Sequence, residues 1–274
     1  MNPKIPEYAS LGCSLLDRAA LGLFCVVSLA ANSRRHARIS KLASSFPKMW
    51  LKPRQLRGSR LLIDPADWSQ VLIFDEIFLR SGYDMSKVEF KPDVIIDCGA
   101  HVGMFSLLAA SAFPSATVVA YEPNPKNVRL AREQVKRNKL PIDIHHAAVS
   151  TASTKMEFVA IVANSHGGRL IHDVTPEIQR SKIETFVVDV VDLKSEIQQL
   201  NPTRLLLKVD IEGEERKVLP DIVPILPDRT ALFFETHSGE PGWREIETLL
   251  RAYGFDVQQI NAREEFFDGF ASRA

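Results

Sequence analysis

The stretch from Val94 to Ala110, VIIDCGAHVGMFSLLAA, carries an aspartate, Asp97, at the end of a strand-like segment, then two glycines four apart, Gly99 and Gly103, then a mainly apolar run. A glycine turn between a strand and a helix points backbone N–H groups and the positive helix end at a ligand. The neighbouring residues decide which ligand. A dinucleotide site needs G-x-G-x-x-G so that the backbone can touch the pyrophosphate. Here His101 stands where the second glycine belongs, and Asp97 would repel a diphosphate. No Gly-Lys-Ser/Thr follows, so a P-loop is excluded. A carboxylate beside such a turn suits a ligand that is cationic there and carries no phosphate. S-adenosylmethionine, with an ammonium and a sulfonium, meets that requirement.

The next strand-like run, TVVAYEP, ends on Glu122, 23 residues after Gly99. That is close to the spacing at which an acidic residue takes the ribose hydroxyls of an adenosine cofactor, two acceptor oxygens matching two vicinal donors. Two later runs also end in polar residues. RLLLKVDIEGEE carries Lys208, Asp210 and Glu212, and FFETH carries Glu235 and His237. On a central strand Lys208 would be covered, and it then requires an acidic partner. Methyl transfer from such a ligand is an in-line displacement, and for the hydroxyl acceptor implied by the family resemblance given below the hydroxyl proton must also be accepted. His237 is the expected base, and Asp210 is the alternative base or the group that orients it. Asp210, Glu212, Glu235 and His237 could instead gather a divalent ion such as magnesium, whose ligands are hard oxygens. The primary reading assigns no metal.

The elements that must position these residues follow from the alternation of β-rich and helical patterns after Arg60. LLID reads as a short strand, and a helix follows from about Trp68 to Arg80, with Val71, Phe74, Ile77 and Phe78 at helical spacing and Gly82 after it. VIID, TVVAYE, IDIHHAAV, TFVVDVV, RLLLKVDI and TALFFETH then read as strands, with PKNVRLAREQVKRN and WREIETLLRAYG as helices. Such alternation predicts an α/β fold with a parallel sheet covered on both faces. FDVQQI and EFFDGF lie a few residues apart and predict an antiparallel hairpin at the sheet edge. Ligands bind such sheets at the carboxyl ends of the strands, where strand order reverses. Asp97 to Gly103, Glu122, Asp210 and Glu235 to His237 all fall at predicted strand ends.

Taken in order, DVIIDCGAHVGMFSLLAA, VVAYEPNPKNVRLAREQVKRN, HHAAVS, LLLKVDIEGEERKVL and FFETH resemble the FkbM-type family of class I S-adenosylmethionine-dependent methyltransferases. The resemblance spans roughly Leu61 to Val257, and its most specific element is the run from Lys208 to Glu214. It implies a Rossmann-like fold: a mostly parallel seven-stranded sheet with helices on both faces and a C-terminal antiparallel hairpin. It also implies O-methylation of hydroxyls on small molecules, sugars or lipid-linked glycans. Carried over by position, Asp97, Gly99 and Gly103, with Ala100 and His101 in the same turn, would line the methionine half of the cofactor. Glu122 would hold the ribose, and Ala147 to Val149, centred on Ala148, would approach the adenine through the backbone. His101 departs from the asparagine found in many relatives but remains polar. His145 and His146 read as a strand-end pair.

The 274 residues are 45% hydrophobic and 25% charged, a globular composition. Cys13, Cys25 and Cys98 are odd in number and lack metal-ligand spacing, which favours a reducing compartment and a cytoplasmic location. Net charge is zero, yet residues 1 to 63 hold 11 Lys/Arg against 2 Asp/Glu, and no acid interrupts the stretch from Arg34 to Arg60. The apolar run from Ala19 to Ala31 covers 13 residues, short of the roughly 20 needed to span a bilayer. Residues 1–60 are accordingly read as a basic, partly apolar extension able to touch a membrane surface, and residues 61–274 as the methyltransferase domain. A nucleic-acid methyltransferase would use the basic stretch, with Trp50 as a stacking residue. Against it, the remainder of the chain is acidic and lacks an Asn-Pro-Pro-Tyr-like element. A non-catalytic binding protein on the same fold is the third reading.

Overall fold

The computed structural model describes residues 12, 48–64, 67–80, 82–161, 164–171, 182–262 and 266–273. Cys13, Cys25, the apolar run from Ala19 to Ala31 and the basic stretch as far as residue 47 lie outside the described residues. Among the described residues no helix is long and apolar enough to cross a membrane.

The first strands form a hairpin: β1 (Met49–Leu51) pairs antiparallel with β2 (Leu61–Ile63), across the expected boundary at residue 60. Met49 and Leu51 are buried in the same apolar cluster as β2. Helix α1 (Trp68–Phe74) starts on Asp67, whose carboxylate accepts the Ser69 N–H at 3.2 Å, and continues as a wider π-turn from Asp75 to Leu79. Phe74, Ile77 and Phe78 are buried, as their spacing predicts.

The main sheet comprises β3 (Val94–Cys98), β4 (Thr117–Tyr121), β5 (Ile142–His145), β10 (Arg204–Val209), β11 (Arg229–Thr236), β12 (Asp256–Ala262) and β13 (Phe267–Arg273), in the order β12-β13-β11-β10-β3-β4-β5. The five strands from β11 to β5 run parallel, whereas β13 is antiparallel to both β11 and β12. Strand order reverses at β3, because β4 lies on one side of it and β10 on the other. The parallel strands inside the sheet are buried on both faces, whereas edge strand β5 leaves Asp143 exposed. Ile95, Leu206 and Phe233 face α2 (Met104–Ala112) and α3 (Pro125–Asn138). Ile96, Leu205, Leu207 and Leu232 face α4 (Leu193–Leu200), α5 (Glu215–Ile222) and α6 (Gly239–Ala252). Proline at the first position of α3 and the Asn124 side chain, accepting the Lys126 N–H at 3.0 Å, set where that helix begins.

Two expectations are corrected. IDIHHAAV is two strands: β5 ends at His145, and β6 (Ala147–Ser150) starts a second sheet. TFVVDVV belongs to that second sheet as β9 (Ile183–Asp192), with β7 (Thr154–Ile161) and β8 (Asn164–Leu170), in the order β6-β9-β7-β8. The physical reason is visible in β9, whose Val187 and Asp189 are exposed while Val188 and Val190 are buried. One-sided burial is what a sheet with a solvated face tolerates, whereas a covered parallel strand must be apolar on both faces.

Candidate functional site

The turn after β3 is set by a close approach. Gly99 has φ +83°, and a Cβ there would lie 1.9 Å from the carbonyl oxygen of Asp210. The Asp210 N–H in turn donates to the Cys98 carbonyl at 3.2 Å. The glycine turn and the end of β10 are thus one unit at the reversal point. His101 (φ 51°) and Glu212 (φ 56°) also adopt left-handed backbone beside it. Such conformations cost about 1–3 kcal/mol each and cluster at functional sites.

Register puts Lys208 directly beside Asp97 on the neighbouring strand. The Lys208 ammonium lies 3.4 Å from Asp97 and 3.4 Å from Asp210, and donates to the Gly99 carbonyl at 2.9 Å. Burial disfavours its charge, but Asp210 and Asp97 outweigh that and hold its pKa above the ordinary lysine value. This is the acidic partner its covered position demands. Asp97 is fully buried, also accepts from Ser106 Oγ at 2.5 Å, and lies beneath the turn.

Above the turn opens a cavity of about 880 Å³, within the roughly 300–1,000 Å³ range of small-molecule sites. Of the residues expected to bind cofactor, Gly99, Ala100, His101, Glu122 and Ala148 line it, as do Ala147 and Val149; Asp97 and Gly103, expected with them, are buried and do not line it. Glu122 accepts from the backbone N–H groups of His101 (2.7 Å) and Asn124 (2.8 Å) and from the Asn127 amide (3.2 Å). Burial lifts its pKa to about 7 against those hydrogen bonds. His145 and His146 stay at the strand end: His146 contacts the Pro123 carbonyl at 2.9 Å, and His145 stacks on Tyr121.

Asp210, Glu212, Glu235 and His237 line the same cavity. His237 Nδ1 is 3.1 Å from Glu215, while its Nε2 is 3.4 Å from Glu212 and 3.6 Å from Glu235. Burial opposes a charge on this imidazole, yet the carboxylates of Glu215, Glu212 and Glu235 prevail and raise its pKa to about 10. The surrounding carboxylates thus favour the protonated imidazole, whereas the sequence reading made His237 the proton acceptor. Burial first, and Asp210 after it, lift Glu235 to about 9. Glu212 is lifted to about 7 mainly by burial, with His237 and Arg169 opposing.

Sequence reasoning missed two residues here. Glu215 is fully buried, accepts the N–H groups of Ile211 and Gly213 at 2.9 Å each, and anchors His237. Its place at the first turn of α5 was visible, its reach back to His237 was not. Arg169, on β8, pairs with Glu212 at 3.2 Å and carried no local signal. Asp210, Glu215 and His237 each bring one ligand atom within 4.8 Å of the others, a different trio from the metal alternative raised above. Both Glu215 oxygens, however, are engaged by backbone N–H groups.

The cleft fits an adenosine-containing cation. Glu122 presents a carboxylate on the adjacent strand end, and Asp210 supplies negative charge where a diphosphate would be repelled. A doubly wound sheet of this strand order, with its cleft at the β3/β10 reversal, defines the chain as a Rossmann-like methyltransferase. The profile of the family described as Methyltransferase FkbM domain matches residues 97–257, more than half of the chain, and the protein belongs to that family. It is 29% identical over 215 residues to the 31-O-demethyl-FK506 methyltransferase FkbM of Streptomyces tacrolimicus, covering 68% of this chain and 81% of that one. It is 25% identical over 182 residues to the hexuronic acid methyltransferase AglP of Haloferax volcanii, covering 65% and 71%. Among solved structures, the methyltransferase FkbM of Methylobacillus flagellatus KT aligns with a TM-score of 0.47 and 12% identity, over 98% of this chain and 57% of that one.

Proposed function

We propose that this methyltransferase uses S-adenosylmethionine to methylate a hydroxyl oxygen of a small molecule, a sugar or a lipid-linked glycan. One observation carries the reading: the Gly99 turn and Glu122 line the same cleft as Asp210, Glu212, Glu235 and His237. The bound cofactor supplies an electrophilic methyl group. The chain's own residues do the rest. Glu122 takes the ribose hydroxyls, the backbone of Ala147 to Val149 meets the adenine, and the carboxylates near Asp210 balance positive charge. Transfer from that group to an acceptor hydroxyl would release the hydroxyl proton, and Asp210, which lines the cavity, would accept it. His237, held as a cation, fixes Glu212 and Glu235 in place. The name of the Streptomyces relative places its methyl group on an oxygen, which supports the hydroxyl reading. An acidic cleft speaks against nucleic acid, whose phosphates it would repel.

The test is transfer of a labelled methyl group from S-adenosylmethionine into fractionated cell extract. Label in the glycan, lipid or small-molecule fraction is expected, and label in nucleic acid alone would overturn the reading.

A further inference from the structure

Among the described residues, the second sheet contributes one charged side chain to the lining of the cleft. Strand β8 pairs antiparallel with β7, placing Arg169 opposite Val159 and Leu170 opposite Phe158. Its path is tightly determined: a Cβ on Gly168 would lie 2.5 Å from the Phe158 ring, so the strand lies flat on that ring. Arg169 then extends into the cavity, its side chain 16% exposed. A guanidinium offers five N–H donors. Only Nη2 is used, on Glu212 at 3.2 Å, and the buried Nε has no hydrogen-bond partner among the described residues. Leaving a buried donor unmade costs about 1–3 kcal/mol, and an oxygen brought by a ligand would recover it.

We propose that Arg169 is an acceptor-binding residue and that it takes the oxygens of an uncharged, polyhydroxylated acceptor. The proposal rests on the methyl-transfer reading of the cleft and deepens it. Charge decides between oxygen types. Glu212 already sits on the guanidinium as its counter-charge, and Asp210 lines the same cleft. A carboxylate or phosphate on the acceptor would enter that field as a like charge, whereas hydroxyl oxygens accept from Arg169 without that penalty. Shape agrees. Phe158 and Ile161 from β7, with Leu72 and Ile73 from α1, give the cavity apolar walls around the polar group. A ring with apolar faces and a hydroxylated edge matches that division.

The experiment uses the full chain saturated with S-adenosylhomocysteine and calorimetric titration with neutral p-nitrophenyl hexopyranosides and the matching hexuronides. The wild type should bind at least one hexopyranoside more tightly than its hexuronide. Arg169→Ala should weaken that binding about tenfold or more, with unchanged affinity for S-adenosylhomocysteine. If Arg169→Ala does not fold, Arg169→Gln, which keeps the length and loses the charged fork, carries the same expectation. Equal binding by variant and wild type, preference for hexuronides, or no binding of any hexopyranoside overturns the proposal. Failure of the wild type to bind S-adenosylhomocysteine overturns the underlying methyl-transfer reading instead.

Discussion

Gly99 and Asp210 touch where no side chain can stand between them: a Cβ at position 99 would fall 1.9 Å from the Asp210 carbonyl oxygen. The cofactor turn and the proposed proton acceptor are therefore held in register by backbone contact, not by side chains that could rotate. Gly99→Ala must open that contact and also hold alanine at φ +83°. A loss of about 3 kcal/mol or more in denaturant unfolding is expected, with cofactor affinity falling alongside. A variant that unfolds and binds like the wild type would show that turn and strand end are not coupled.

Glu122 links cofactor binding to the same turn, because its carboxylate also holds the His101 N–H at 2.7 Å. Glu122→Ala should weaken calorimetric binding of S-adenosylmethionine by roughly 2 to 4 kcal/mol, the value of a charge-assisted pair of hydrogen bonds. Glu122→Gln keeps one acceptor oxygen and should lose less. Equal titrations for all three proteins would remove the ribose assignment.

The pH dependence follows from the charges around His237. Glu212 takes up a proton below about 7 and His237 loses one above about 10, so turnover should fall on both sides of that window. A rise through 6.5 to a plateau would restore a neutral histidine base. The same imidazole affects stability. Its folded pKa is raised from 6.5 to about 10, so its contribution is complete below 6.5 and is lost as pH rises through about 10. Thermal melts of His237→Gln should lack that alkaline loss.

The central strands of the main sheet were legible because β3, β10 and β11 are apolar runs with polar residues at the carboxyl end, as in VIID, LLLKVD and FFETH. The same rule located Asp210, Glu122 and His237 in one cleft. The second sheet was not legible. Its β7, TKMEFVAI, begins with charged, exposed residues, and β6 follows β5 with only His146 between them. The charge on His237 was hidden for a related reason: the imidazole stood out at a strand end, but Glu215 reaches it from the first turn of a different element. Local pattern shows which residues lie at a strand end, and only packing shows what they face.

Packing of β1 gives a further test. Leu51 is fully buried and pairs with Leu61. Leu51→Ala should cost about 2–5 kcal/mol, and removal of residues 1–55 should cost more, since it also removes Met49 from the core. A stable, cofactor-binding chain after that deletion would show that the hairpin is dispensable.

Chelation tests the metal alternative. Both Glu215 oxygens accept backbone N–H groups, so EDTA treatment should leave turnover unchanged. Loss of activity restored by magnesium would assign Asp210 and His237 to an ion.

The central claim is that the methyl group ends on oxygen, with its proton taken by Asp210. The most direct measurement is carbon NMR of the product formed from ¹³C-methyl-labelled S-adenosylmethionine, run beside Asp210→Asn. A single methoxy resonance from the wild type, formed about 10²- to 10⁴-fold more slowly by the variant at unchanged cofactor affinity, is the predicted result. A methyl resonance on nitrogen or carbon, or an Asp210→Asn enzyme as fast as the wild type, would contradict it.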